Sequence, residues 1–260
     1  MVKTGPEAGS IAFIAGSSEE AQAALHSLSA AYGNTDPAQA GHIVVLGGDG
    51  FMLHALHEFM DSGTPIYGMN CGTVGFLMNE YRDDGLIERL SSAVTTTINP
   101  LVMTAWDNAG LEQTACAFNE VSLLRQSYQA AHLRILIDGK VRLDDLICDG
   151  VLVATAVGST AYNLSAHGPI LPMNAPLLAL TPISPFRPRS WRGALLSHRA
   201  HVRIEVLGEK KRPVNAVADY TEIKSVTAVE IVQSQESGSL IMFDPDHSWD
   251  ERILTEQFRY

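Results

Sequence analysis

The sequence predicts an α/β domain built on a parallel sheet, followed by a β-rich domain. Three observations carry this expectation. Up to residue 98, short apolar runs alternate with stretches of helical apolar spacing. From residue 101 onward the pattern turns to short strands separated by turn signals. The 260 residues, with 46% hydrophobic and 18% charged side chains, suffice for one large or two modest domains with real cores.

The elements follow in order. Ile11 to Ala15 is a short apolar run with strand character. Ser17 to Glu20 matches a capping box, with Ser17 as N-cap and Glu20 reaching back to it. The helix it opens runs through Ala24, Leu25 and Leu28 to a C-cap at Gly33. Ile43 to Leu46 is a second strand, Phe51 to Met60 a second helix with Gly63 behind it, and Pro65 to Met69 a third strand. Asp83 to Val94 is a third helical stretch. This βαβαβα order implies a Rossmann-like parallel sheet.

Beyond it, Leu101 to Trp106, the turn Asp107 to Gly110, and the run from Leu111 read as a hairpin. His132 to Ile137 and Lys140 to Leu146 flank Asp138-Gly139, a strong two-residue hairpin signal. His201 to Val206 alternates polar and apolar, and Val214 to Ala218, Thr227 to Val232 and Leu240 to Phe243 continue the series. The expected division is 1–98 for the α/β domain, 99–235 for the β-rich domain, and 236–260 for a tail. Apolar residues Ile253, Leu254 and Phe258 in that tail have a spacing suited to docking back on the first domain.

The bulk properties exclude several functions. A net charge of −11 repels phosphate backbones, which argues against nucleic-acid binding. Lys210-Lys211-Arg212 reads as a solvated turn. Cys71, Cys116 and Cys148 lack zinc-ligand spacing, and their odd number argues against a disulfide framework. No apolar run reaches the roughly 20 residues that span a bilayer, and the first ten residues lack a secretory core. A cytoplasmic location follows by elimination. His54 and His57 lie three apart on a predicted helix, without the intervening Glu of a metalloprotease, and read as a partly exposed or core-lining pair rather than as metal ligands.

Four stretches carry chemistry. Gly47-Gly48-Asp49-Gly50 follows a strand and opens a helix, an arrangement that presents backbone amides and a helix dipole to an anion. An aspartate inside such a loop would repel phosphates. It suits a general base for a hydroxyl, or a ligand for phosphate-bound Mg²⁺. The same loop also reads as a plain strand-to-helix turn with Asp49 as N-cap. Asn70 to Leu77, with Gly72 and Gly75, ends the next strand, and loops at adjacent strand ends share a ligand crevice. Asn119 can donate to and accept from an adenine edge or a ribose, and Glu120 can accept from sugar hydroxyls. In isolation that pair also reads as a surface turn. The longest stretch, Asp149 to Ile170, runs from an apolar strand into a loop rich in Gly, Ser and Thr, with Tyr162 offering a stacking face.

Together with Leu180 to Ile183 and Asp219, these stretches resemble the ordered motifs of the NAD kinase family, over roughly residues 40 to 220. The glycine-aspartate loop alone is shared with diacylglycerol and sphingosine kinases and with phosphofructokinases, whereas Gly158 to Tyr162 is more specific. The resemblance implies transfer of the γ-phosphoryl of ATP, or of polyphosphate, to the 2′-hydroxyl of the adenosine ribose of NAD, making NADP. It implies Mg²⁺ carried in with ATP, and a homodimer or homotetramer. It makes Asp49 the proton acceptor, with Gly50 lining the same pocket. It assigns NAD contacts to Asn119, Glu120, Asp149, Thr160, Ala161, Tyr162, Asn163, Leu164, Ser165, Ser184 and Tyr220. Three positions depart from the family pattern: Phe51 stands where Thr is usual, Val157 replaces a hydroxyl, and Tyr220 replaces Gly or His. Competing readings are a kinase of a lipid or sugar acceptor and a non-catalytic NAD-binding module.

Overall fold

The structure, a computed structural model, describes residues 9–72, 75–245 and 258. It divides into two compact units, one holding the chain to Ile98 together with Ser237 onward, the other Asn99–Glu236. The first unit begins with β1 (Ile11–Ala15), α1 (Glu19–Tyr32), β2 (His42–Gly47), α2 (Asp49–Glu58) and β3 (Ile66–Asn70). It continues with the short β4 (Asn79–Glu80), α3 (Leu86–Ser92) and β5 (Val94–Ile98). The second unit carries β6 (Leu101–Asp107), β7 (Glu112–Ala117), β8 (Glu120–Arg125), β9 (Ala131–Ile137), β10 (Lys140–Cys148) and β11 (Gly150–Ala154). After a one-turn α4 (Tyr162–Ser165) come β12 (Leu177–Ile183), β13 (Ala194–Ser197), β14 (Val202–Val206), β15 (Val214–Ala218), β16 (Thr221–Ile223) and β17 (Val226–Gln233). The chain then returns to the first unit with β18 (Ser239–Phe243).

In the first unit the sheet order is β1-β2-β3-β18-β5, with β4 on β3. Strands β1, β2, β3 and β18 are mutually parallel, and β5 runs antiparallel to β18. The expected parallel strands are therefore present, and antiparallel β5 makes the sheet mixed. Leu240 to Phe243 belongs to this sheet rather than to the β-rich series, pairing Ile241 with Ile66 and Met242 with Tyr67. Its nearly continuous burial suits a strand covered on both faces. Residues 246–257 of the tail, with Ile253 and Leu254, lie outside the described residues, and Phe258 is exposed.

Helix boundaries correct the sequence reading in three places. The N-cap of α1 is Ser18, not Ser17: Ser18 is extended, and its hydroxyl accepts from the Ala21 amide at 3.2 Å. This places Glu20 at the second helical position, where it cannot close the capping box. Both Glu19 and Glu20 fall in the first turn, where the helix dipole favours acids. Helix α2 starts at Asp49, with Gly48 as N-cap, so Asp49 is not the cap. Helix α3 is shorter than expected because left-handed Gly85 starts it and extended Ala93 ends it, which releases Val94 into β5.

The second unit is a sandwich of two antiparallel sheets, β10-β9-β14-β17-β6-β7 and β13-β12-β11-β8-β15-β16. One core joins alternate residues from both, among them Leu101, Met103, Leu123, Ile135, Val151, Val153 and Ile204. The Asp138-Gly139 turn has positive φ at both residues, 52° and 74°, as a two-residue hairpin requires. A smaller cluster lies on the other face of β11: Leu152, Ala154, Ala156, Leu171 and Ala179, with Tyr162 packed against it.

Candidate active site

In the first unit the site is built at the carboxyl ends of β2 and β3. Asp49 stands in the first turn of α2, and its carboxylate accepts the amides of Phe76 at 2.7 Å and Leu77 at 2.9 Å. The second glycine loop thus reaches over and orients the acid of the first. Gly75 makes this approach possible, since a Cβ there would lie 2.9 Å from Asp49 Oδ1 and 2.8 Å from Met78 Cγ. The loops are also joined by the Cys71 amide, which donates to the Gly47 carbonyl at 2.8 Å. Phe51 lies over Gly47, where a Cβ would sit 3.2 Å from its own Cβ, and its ring borders Gly16. The aromatic that replaces the family's Thr therefore packs against the glycine turn.

In the second unit the segment Phe118–Glu120 is held from two sides. The Asp219 carboxylate accepts the amides of Phe118 at 2.7 Å, Asn119 at 3.0 Å and Glu120 at 3.3 Å. From the other side Thr155 donates its hydroxyl to the Phe118 carbonyl at 2.6 Å and accepts the Gly158 amide at 3.0 Å. Asp219 has φ 50°, a left-handed conformation that Asp tolerates and that aims its side chain back at the chain. Asp219 and Thr155 position the site, although neither stood among the sequence-derived site residues. Their partners are about a hundred and about forty residues away, so the sequence marks Asp219 as a motif position and Thr155 as part of the Asp149 to Ile170 stretch without showing what they hold.

Glu120 has one buried carboxylate oxygen, Oε2, without a hydrogen-bond partner. Burial, then the neighbouring Asp219 charge, push its carboxyl up to about 7, against the stabilising Tyr162 amide. The Tyr162 phenol is itself raised by burial and by the charges of Glu120 and Asp149.

The sheet register does not bring Asp149 to Glu120. Glu120 pairs with Ala154 at one end of β11, and Asp149 precedes Gly150 at the other, roughly 16 Å of strand away. Asp149 pairs instead with Arg125 at 2.6 Å. Beside it lies Ser184, exposed and left-handed (φ 46°), just past Ile183, whose carbonyl accepts the Asp149 amide.

The 155–165 stretch folds as a 3₁₀ turn over Val157–Thr160 followed by α4. Val157 is buried, so this position contributes packing. Asn163 is also fully buried. Its amide donates to the carbonyls of Ser159 and Pro169 and its oxygen accepts from Thr181, so it is a clamp for the loop rather than a ligand contact. Thr160, Ala161, Tyr162 and Leu164 are half-buried, and Ser165 and Tyr220 are exposed.

Comparison with known proteins matches both halves of the chain. Residues 11–95 fit a family described as the ATP-NAD kinase N-terminal domain, and residues 118–243 its C-terminal domain. A NAD kinase of Mesorhizobium japonicum is 59% identical over 97% of this chain and 98% of that protein.

The chain belongs to the NAD kinase family.

A NAD kinase of Caulobacter vibrioides is 55% identical over 95% of both proteins. Among solved structures, a yeast NADH kinase complexed with NADH superposes with a TM-score of 0.75, at 27% identity over 87% of this chain and 71% of that one. An NAD kinase from Archaeoglobus fulgidus in complex with ATP has the same fold, with a TM-score of 0.75 over 96% of this chain and 99% of that one, at 21% identity. The α/β unit followed by a β-rich unit is thus the architecture of the NAD kinase family. Among the described residues no helix is long and apolar enough to cross a membrane.

Proposed function

We propose that this protein transfers the γ-phosphoryl of ATP, or of polyphosphate, to the 2′-hydroxyl of the adenosine ribose of NAD, forming NADP. The observation that carries the chemistry is the Asp49 carboxylate, fixed at the carboxyl end of the sheet by the Phe76 and Leu77 amides. The ribose hydroxyl gives its proton to Asp49 as its oxygen attacks phosphorus in line, without a covalent enzyme intermediate. Amides of the Gly47–Gly50 loop, which lacks a Walker lysine, hold the transferring phosphates.

The donor set at the loop fits Mg²⁺ brought in on the donor phosphates. Among the described residues no three His, Cys, Asp or Glu side chains converge. Asp49 is the one carboxylate in the glycine loop, and Mg²⁺ commonly takes one or two carboxylates beside phosphate oxygens. When bound, the ion neutralises charge on the leaving phosphates.

Asn119 and Glu120, set by Asp219 and Thr155, read the adenosine moiety. Gly50 lines the Asp49 pocket, Thr160, Ala161, Tyr162, Leu164, Ser165 and Tyr220 contact NAD, and Asn163 holds the loop. Asp149 and Ser184 contact the distal part of the dinucleotide, which the register separation of Asp149 from Glu120 supports. The same reading takes the protein as a cytoplasmic homodimer or homotetramer, an assembly that analytical ultracentrifugation checks.

The direct test incubates purified protein with ATP, Mg²⁺ and NAD and reads NADP with an NADP-specific dehydrogenase. NADP formation is expected. NAD binding without NADP formation overturns the kinase reading in favour of a binding module.

A further inference from the structure

A cavity of about 290 Å³ opens at one end of the sandwich, among three turns of the second unit. Asn108 reaches it from the β6–β7 turn, Glu209 and Lys210 from the β14–β15 turn, and Ser225 from the turn between β16 and β17. Its size, at the lower edge of small-molecule sites, suits a compact ligand. Pro213 of its lining and Asp219 flank β15 at opposite ends, roughly 20 Å of strand apart. The cavity is therefore separate from the Asn119–Glu120 site that Asp219 holds.

Its walls are fixed. The Asp107 carboxylate accepts the Ala109 and Leu111 amides, both at 2.9 Å, which closes the turn that carries Asn108. The Asn108 amide donates to the Ser225 carbonyl at 3.2 Å and ties the first turn to the third. Ser225 is left-handed, with φ 55°, a conformation that costs energy for a residue with a Cβ. Asn215 holds it there by accepting its amide at 3.1 Å, and Gln126 by donating to its hydroxyl at 3.0 Å. Strain kept in place by two side chains from elsewhere in the unit is a mark of a functional position.

The basic run Lys210-Lys211-Arg212, which reads from sequence as a solvated turn, divides in the structure. Arg212 is anchored, donating to the Ala130 carbonyl at 2.6 Å, whereas Lys210 lines the cavity beside Glu209. Among the described residues neither Glu209 nor Lys210 forms an ion pair. One wall thus offers a cation and an anion, both uncompensated. The Ser225 hydroxyl accepts from Gln126 and keeps its proton to donate. The Thr227 hydroxyl, also in the lining, donates to the Trp106 carbonyl at 3.1 Å and keeps a lone pair to accept. A simple anion would meet the Glu209 charge, and a simple cation that of Lys210. A ligand carrying both charges satisfies both residues, and Pro213 and Val226 offer apolar surface to a short aliphatic group.

We propose that this cavity binds a small zwitterion, a free α-amino acid. Lys210 and the Ser225 hydroxyl take its carboxylate, and Glu209 and the Thr227 oxygen take its ammonium group. None of these residues belongs to the proposed kinase site, so the two assignments succeed or fail separately.

Titration of the isotope-labelled full chain with L-alanine, followed by NMR at the Ser225 and Val226 amides, tests it. Propionate and ethylammonium, each L-alanine without one charged group, are the controls. L-Alanine should shift both resonances saturably, and each control should bind about tenfold more weakly or worse. Glu209→Gln and Lys210→Gln each remove one charge at similar size. Either should weaken L-alanine binding about tenfold, with Tm unchanged. Lys211→Gln, in the same turn but outside the lining, should bind L-alanine as the wild type does. No saturable shift in the wild type, a control that binds as tightly as L-alanine, or wild-type affinity in both the Glu209 and Lys210 variants overturns the proposal.

Discussion

Gly158 lies directly against the backbone of Asn119, so closely that a methyl group on its α-carbon would overlap the Asn119 carbonyl and Cα. The glycine lets the 3₁₀ turn seat against the segment that presents Asn119 and Glu120. Gly158→Ala must push the two apart, at an overpacking cost of about 1–3 kcal/mol. A lowered Tm and NAD affinity reduced about tenfold are expected, read by thermal unfolding and calorimetry.

Asp219 holds the same segment through three amides. Asp219→Ala leaves those donors without their acceptor, a loss of about 2–4 kcal/mol. Asp219→Asn keeps one acceptor oxygen and should recover part of the stability. Because Asp219 positions rather than reacts, KM for NAD should rise more than kcat falls in the Asn variant. Steady-state kinetics over a range of NAD concentrations checks the split.

Glu120 makes stability depend on pH in a defined direction. Its folded carboxyl is raised from 4.5 to about 7, so between those values the native state holds a proton that the unfolded chain has released. The associated stability is full below pH 4.5 and is lost as pH rises through 7, by roughly 3 kcal/mol at most. Urea unfolding at pH 5 and pH 8 should show a smaller drop for Glu120→Gln than for the wild type. An equal drop would remove Glu120 as its source.

Asp49→Asn preserves shape and removes the base. Turnover should fall by about 10²–10⁴, while NAD binding largely survives. Near-normal turnover in the NADP assay would sink the assignment of Asp49 as proton acceptor.

Arg89 and Asp244 form a largely buried ion pair at 2.6 Å that ties the end of β18 to α3. Asp244 also accepts from the Tyr67 hydroxyl at 2.6 Å, and Arg89 lies over the Tyr67 ring at 5.5 Å. Asp244→Ala strands the Arg89 charge and should cost about 3–5 kcal/mol. Adding Arg89→Met should restore part of that stability, measured by denaturant unfolding.

Much of the fold was legible because its signals are short-range. The strand Ile11–Ala15, the Gly33 cap, the Gly47–Gly50 turn and the Asp138-Gly139 hairpin each depend on residues within a few positions of one another. The Ser17 capping box failed by one residue, since Ser17 and Ser18 both offer a cap and the start of α1 at Glu19 chose between them. Asn163 read as a ligand contact because its polarity is visible in sequence, whereas its burial against Ser159, Pro169 and Thr181 is not.

The sequence by itself determined the family motifs, the glycine-aspartate loop and the change from helix-strand alternation to antiparallel strands. Tertiary structure decided what those motifs touch. It turned Asp49 toward the Phe76 and Leu77 amides, brought Asp219 to residues about a hundred positions earlier, and set Asp149 at the far end of β11 from Glu120. It also drew Ser239–Phe243 out of the β-rich series to pair with β3, more than 170 residues upstream. Apolar spacing shows that such a strand is buried. Which sheet completes its hydrogen bonds depends on the edge that folding leaves open.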